Sequence, residues 1–209
     1  MATKRSVLTS ASEDRLEKLI EERLKPGADK ELLDKRIWDL FGEEWCIMFT
    51  DLSGFSRNVA KFGIIHFLQT IYESQRVLIP IIDEHDGILL KTEGDSFLVI
   101  FRNVTKGLIC AIDMQRTLKK YNDATPEEDD ILLCVGLGVG KVLKIGDSDV
   151  FGKEVNAASK LGEDTAKSWE ILVTGSVKEQ AHGIPDISFE EIDEVPPGAD
   201  EAFRVHYRF

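Results

Sequence analysis

The chain has 209 residues, 43% of them hydrophobic and 31% charged, with a formal net charge of −12. That length suits one sizeable domain with a short extension, and that apolar content supports a real core and excludes intrinsic disorder. The acidic balance argues against a nucleic-acid partner, which needs a basic patch, but not against a nucleotide, whose phosphates metal ions can screen.

Cys46, Cys110 and Cys134 lie in apolar surroundings without metal-ligand or redox spacing, and read as buried free thiols in a reducing compartment. The opening residues show no apolar core of a secretory signal, and no apolar run is long enough to span a bilayer. A cytoplasmic protein without membrane insertion is expected.

Residues 1–11 are polar and expected to be mobile. Residues 12–25 predict a helix with Leu16, Leu19, Ile20 and Leu24 on one stripe, Ser12 as a candidate cap and Pro26-Gly27 as its stop. A second helix follows at about 29–41 with Leu32, Leu33, Ile37 and Leu40. Two readings fit this pair: helices packed on the main domain, or a dimerisation or signal-input segment. The pattern changes at Glu44, which sets 1–43 apart as a helical extension from a domain over 44–209.

WCIMFTD (45–51) is a short apolar run ending in a carboxylate, a buried strand by composition. LSGFS follows as a turn. Residues 57–83 carry Val59, Phe62, His66, Phe67 and Ile71 at helical spacing, with Pro80 expected to kink or shorten the end. Strands over 87–93 and 96–102 meet at Gly94-Asp95 as a hairpin. A helix over 105–122, strands over 131–140 and 141–146, a helix over 153–166 and a strand over 170–175 complete the middle. The acidic run 189–194 reads as a solvated strand or loop. At the C-terminus Phe203, Val205, Tyr207 and Phe209 alternate with Arg204, His206 and Arg208, a half-buried strand. The order predicts an α+β sandwich of ferredoxin type rather than a doubly wound parallel sheet, because the 87–102 pair is adjacent and antiparallel.

In such a sheet Asp51, at the end of the first strand, and Asp95, at the hairpin tip, can converge at one edge. Two hard anions there repel unless a cation lies between them, and Mg²⁺ or Mn²⁺ suit oxygen ligands. By spacing alone both residues read rather as turn aspartates beside Ser-Gly and Gly. The LSGFS turn offers backbone amides to a phosphate, but alone it is a plain strand-to-helix turn. His66 reads as a core or boundary residue, and Trp38, Trp45 and Trp169 as packing residues.

FTDLSGFS (49–56), KTEGDSFLVIF (91–101), SDVFGKEVNAASKL (148–161) and EILVTGSV (170–177) occur in that order. Together they resemble the successive motifs of class III adenylyl and guanylyl cyclase catalytic domains, over about 44–180. The resemblance implies a ferredoxin-like βαββαβ fold with an extra helix and strands at the C-terminus. It implies two divalent cations, Mg²⁺ or Mn²⁺, held by Asp51, Asp95 and the Leu52 carbonyl. Ser53, Gly54, Phe55 and Ser56 match the phosphate-binding turn. Lys91 and Asp149 match the base-reading pair, Asn156 the ribose-orienting residue, and Lys160 the position of a transition-state arginine.

Two of these assignments have support in the residues. Asn156 and Lys160 are four apart on one predicted helix, and so share a face. A lysine and an aspartate together donate to and accept from the N1 and N6 edge of adenine, whereas guanine presents the opposite pattern. The resemblance thus implies an adenylate cyclase making 3′,5′-cyclic AMP and pyrophosphate from ATP. It implies a homodimer in which Asp51 and Asp95 come from one subunit and Lys91, Asp149, Asn156 and Lys160 from the other.

Three positions depart from the family pattern. Lys160 is a point charge where the family has a planar arginine. Cys134 stands where many relatives have an arginine on the triphosphate, with Lys141 or Lys144 as stand-ins. The stretch from Val142 to Asp149 is short. These leave open a cyclase of another base, making cyclic GMP or a cyclic pyrimidine nucleotide, or a low-activity cyclase-like domain that binds nucleotide or regulates.

Overall fold

The computed structural model of the chain describes residues 11–209, with the side chains at 55–58 outside that description. Residues 1–10, expected to be mobile, lie outside it. Two helices lead in, α1 (Ala11–Leu24) and α2 (Lys30–Phe41). Ser12 lies inside α1 and does not cap it, whereas Asp29 caps α2 by accepting from the Leu32 amide at 3.1 Å. Leu19, Leu33, Ile37 and Phe41 bury themselves against Ile145, so the pair is packed on the domain. Leu24, Leu32 and Leu40 of the predicted stripes stay exposed.

Then come β1 (Gly42–Leu52), α3 (Phe55–Phe62), α4 (Ile64–Glu84), β2 (Ile88–Glu93), β3 (Ser96–Phe101), α5 (Val104–Ala124) and β4 (Leu133–Ile145). The strands lie in the order β2-β3-β1-β4 with antiparallel neighbours, the βαββαβ arrangement expected. β5 (Asp149–Phe151), α6 (Lys153–Ser159), β6 (Ile171–Thr174), α7 (Gly175–Gln180), β7 (Ser188–Glu191) and β8 (Ala202–His206) follow. β6 runs parallel to β4 and extends the sheet through β8 to β7.

Three expectations change. The single helix over 57–83 is two, broken at Gly63, whose φ of +89° no helix accommodates. Pro80 lies inside α4 without ending it. The two strands over 131–146 are one continuous strand, because every residue from Leu133 to Leu143 pairs with β1.

The sheet has two unequal faces. α4 and α5 cover one, where Cys46, Met48, Phe97, Val99 and Phe101 join Leu78, Ile82 and Leu108. Trp45, Ile47, Leu98, Ile100 and Val142 point the other way, under α6 with Val155 and Ala158. Both faces of β1 are therefore apolar, which accounts for its unbroken hydrophobic run. β4 presents Gly136, Gly138 and Gly140 to α6. A Cβ at Gly136 would fall 2.2 Å from the Ala158 carbonyl, so α6 rests directly on the bare strand. Among the described residues no helix is long and apolar enough to cross a membrane.

Candidate active site

Asp51 ends the α6-side row of β1, opposite Cys134 on β4. Ser96, the first residue of β3, donates its hydroxyl to Asp51 Oδ1 at 3.1 Å. Burial and then the Asp95 charge push the Asp51 carboxyl up to about 6, against smaller lowering by the Ser96 hydroxyl. The Glu163 charge raises it further, and the Leu52 backbone lowers it slightly. Burial also raises Asp95. Among the described residues neither aspartate has an ion-pair partner, and no group of three or more His, Cys, Asp or Glu forms a ready metal cage. The donor set is a pair of mutually repelling, half-desolvated carboxylates, and these fit a hard divalent cation completed by water and phosphate oxygens.

At the β2–β5 side, Lys91 Nζ donates to Asp149 Oδ2 at 2.5 Å, while Asp149 Oδ1 accepts from the Val150 amide at 2.9 Å. Asp149 lies on β5, not at a helix start. A cavity of about 200 Å³ opens beside this pair, walled by Phe49, Leu98, Val150 and Val155 and reaching Ser96 and Glu163. The structure thus brings Lys91 and Asp149 together on one cavity, which Ser96 also lines. On the other side of the pair α1 closes in: Ser148 Oγ donates to Glu13 Oε1 at 2.6 Å.

Asn156 and Lys160 do not line this cavity. Both are exposed: Asn156 Nδ2 donates to the Pro197 carbonyl at 3.0 Å, and Lys160 Nζ to Asp164 Oδ2 at 2.5 Å. The Asp164 hydrogen bond and charge hold the Lys160 ammonium above its ordinary pKa. They share one helical turn, as expected: the Lys160 amide donates to the Asn156 carbonyl, and Lys160 keeps right-handed helical angles. α6 ends at Ser159, and Lys160–Thr165 forms a wider π turn. The widening accompanies Gly162, whose missing Cβ leaves it seated on the Gly136 amide and the Phe49 carbonyl.

The phosphate turn is partly spoken for. The Ser53 amide donates to the Leu132 carbonyl at 2.8 Å, which removes it from the phosphate-binding set. Gly54, at φ +92°, makes the left-handed step into α3. The side chains of Phe55 and Ser56 lie outside the described ones, but both residues open α3, where first-turn amides lack helical acceptors. Neither suggested stand-in reaches Cys134. Lys144 donates to the Gly146 carbonyl and Asp147 in its own turn, and Lys141 lies further along β4 beside Trp38. Burial, then the Asp51 charge, pushes the Cys134 thiol up to about 12.

Sequence reasoning missed Ser96 and Glu163. Ser96 was legible as the residue after Asp95 at a hairpin tip. Glu163 was not, since the π turn sets its direction.

Residues 42–202 match the family described as the adenylate and guanylate cyclase catalytic domain. The chain belongs to that family. It is 32% identical over 131 residues to the serine/threonine-protein kinase pkn2 of Myxococcus xanthus, covering 63% of this chain and 16% of that protein. It is 30% identical over 143 residues to the Rhizobium meliloti (strain 1021) protein named "Putative adenylate cyclase 3", covering 68% and 24%. The chain thus spans under a quarter of either curated relative. A solved adenylate/guanylate cyclase/hydrolase from Silicibacter pomeroyi superposes with a TM-score of 0.66 at 22% identity, over 78% of this chain and 97% of that one. That likeness shows the fold.

Proposed function

We propose that the domain is an adenylate cyclase, converting ATP to 3′,5′-cyclic AMP and pyrophosphate in a symmetric homodimer with two composite sites. The Lys91–Asp149 pair on the apolar-walled cavity carries this reading. Lys91 donates to adenine N1, Asp149 accepts from its amino group, and the apolar walls exclude the water that would compete for both. Guanine turns a donor toward Lys91 and an acceptor toward Asp149, and pairs poorly.

Asp51, Asp95 and the Leu52 carbonyl hold the two divalent cations, Mg²⁺ or Mn²⁺. Such cations supply Lewis acidity to the 3′-hydroxyl and charge neutralisation to the triphosphate. Ser96 fixes the Asp51 carboxylate by its hydroxyl. Gly54, Phe55 and Ser56 present first-turn amides of α3 to the phosphates, with Ser53 shaping the turn. Asn156 orients the ribose, and Lys160 opposes charge developing on the phosphoryl oxygens. Asn156 and Lys160 lie outside the cavity of their own chain, which favours their acting on nucleotide held by a partner subunit.

Product analysis with ATP, GTP, CTP and UTP and Mn²⁺ tests the reading. Cyclic AMP from the parent protein and none from Asp95→Ala is the expected result; no cyclic product from any nucleotide would sink it. A second reading, a low-activity nucleotide-binding or regulatory domain, is favoured by Lys160 being tied to Asp164 and by neither Lys141 nor Lys144 reaching Cys134. Nucleotide bound and recovered unchanged after long incubation would support it.

A further inference from the structure

Among the described residues Glu154 is the only carboxylate that is fully buried, 3% exposed. Its side chain runs inward from the first turn of α6 across β4. A Cβ at Gly138 would fall 3.0 Å from its Oε2, and one at Gly140 would fall 3.0 Å from its Cγ. Thr174 Oγ1, itself buried at the end of β6, donates to Oε2 at 2.9 Å, and Ser176 Oγ donates to Oε1 at 3.3 Å. No described lysine, arginine or histidine pairs with it.

A buried carboxylate without a cation costs stability, and an apolar side chain over bare glycines would cost none. The carboxylate has one property the apolar chain lacks, which is direction. Two hydroxyls on another strand and helix fix the rotation of the first turn of α6 about its own axis. Asn156 stands two residues on, on the opposite and exposed side of that turn. Its amide is braced by the Pro197 carbonyl, and Gly198, at φ +105°, seats the same loop against the Lys153 carbonyl. A turn so held from beneath and beside aims Asn156 in one direction only.

We infer that Glu154 is the positioning residue for Asn156, its buried carboxylate locking α6 to Thr174 and Ser176. The inference rests on the proposed role of Asn156 at the nucleotide. In the full chain, Glu154→Ala should lower kcat about tenfold or more while KM for ATP moves less than about threefold. Glu154→Gln keeps partners for both hydroxyls and should recover most of kcat. In an Asn156→Ala background, Glu154→Ala should cost less than about twofold more. Independent multiplicative losses in the two backgrounds would overturn the inference.

A folded Glu154→Ala at parental kcat, beside a crippled Asn156→Ala, overturns the positioning role alone. Parental kcat in Asn156→Ala overturns the role of Asn156 itself. A readout free of turnover is the side-chain amide resonance of Asn156. It should shift in Glu154→Ala and return in Glu154→Gln, and an unmoved resonance counts against the inference. Should Glu154→Ala fail to fold, Thr174→Val, which removes one donor at nearly constant shape, takes its place in every measurement.

Discussion

Asp51 and Asp95 sit where burial opposes ionisation of both, where the Asp95 charge further opposes that of Asp51, and where no described side chain neutralises them. This has a consequence for stability. The folded chain keeps the Asp51 proton up to about 6, whereas an ordinary aspartate loses it near 3.8. Over that window the folded state binds more protons than the unfolded state, so metal-free protein should lose stability as pH rises from 3.8 through about 6. Thermal unfolding in EDTA measures this. Asp51→Asn should flatten the slope, Asp95→Asn should make it shallower, and saturating Mn²⁺ should reverse the loss by binding the ionised folded site. At the base pair, Lys91→Glu places an acceptor where adenine N1 needs a donor. It should cut kcat/KM for ATP by ~10²-fold or more relative to GTP, read from competing substrates.

At the scale of elements, α6 and the π turn after it owe their position to glycines rather than to their own sequence. Gly136→Ala would set a methyl 2.2 Å from the Ala158 carbonyl and 2.3 Å from the Gly162 amide. Backbone cannot yield as a side-chain tip can, so the substitution should destabilise by about 1–3 kcal/mol in urea unfolding and displace Asn156 and Lys160 together. α1 and α2 are held by a small apolar cluster on Ile145, with Leu33 only 3% exposed. Leu33→Ala should cost about 2–5 kcal/mol within a single unfolding transition. Two separated transitions would instead mark the helices as an independent unit.

For the whole molecule, the proposed two-fold assembly makes a prediction that no monomeric site can meet. Asp95→Ala spoils the metal half of a site and Lys91→Ala the base half. Mixed, the two inactive variants form heterodimers in which one site carries both lesions and the other carries none. Activity should reappear on mixing, up to roughly a quarter of the parental level if the subunits exchange at random. Continued silence of the mixture, with dimers confirmed by sedimentation, would exclude the composite arrangement.

The sequence by itself determined the βαββαβ core and the two aspartates at one edge of it. Local signals suffice for these: an apolar run ending at Asp51, Gly94-Asp95 between alternating strands, and four ordered motifs. Through the family resemblance it also located Lys91 and Asp149 as a pair, but not what brings them together. Residues 91 and 149 are joined only because β5 folds back along β4, which register decides. The break at Gly63 and the continuity of β4 depended on a backbone angle and on the pairing partner, β1, and periodicity reports neither. The π turn over Lys160–Thr165 follows from Gly162 resting on Gly136, a contact between distant segments. The sequence places Glu154 in a helix over 153–166 and says no more of it. Only the tertiary structure buries it, because what lies beneath it is the bare backbone of β4 and what holds it is a pair of hydroxyls from β6 and α7.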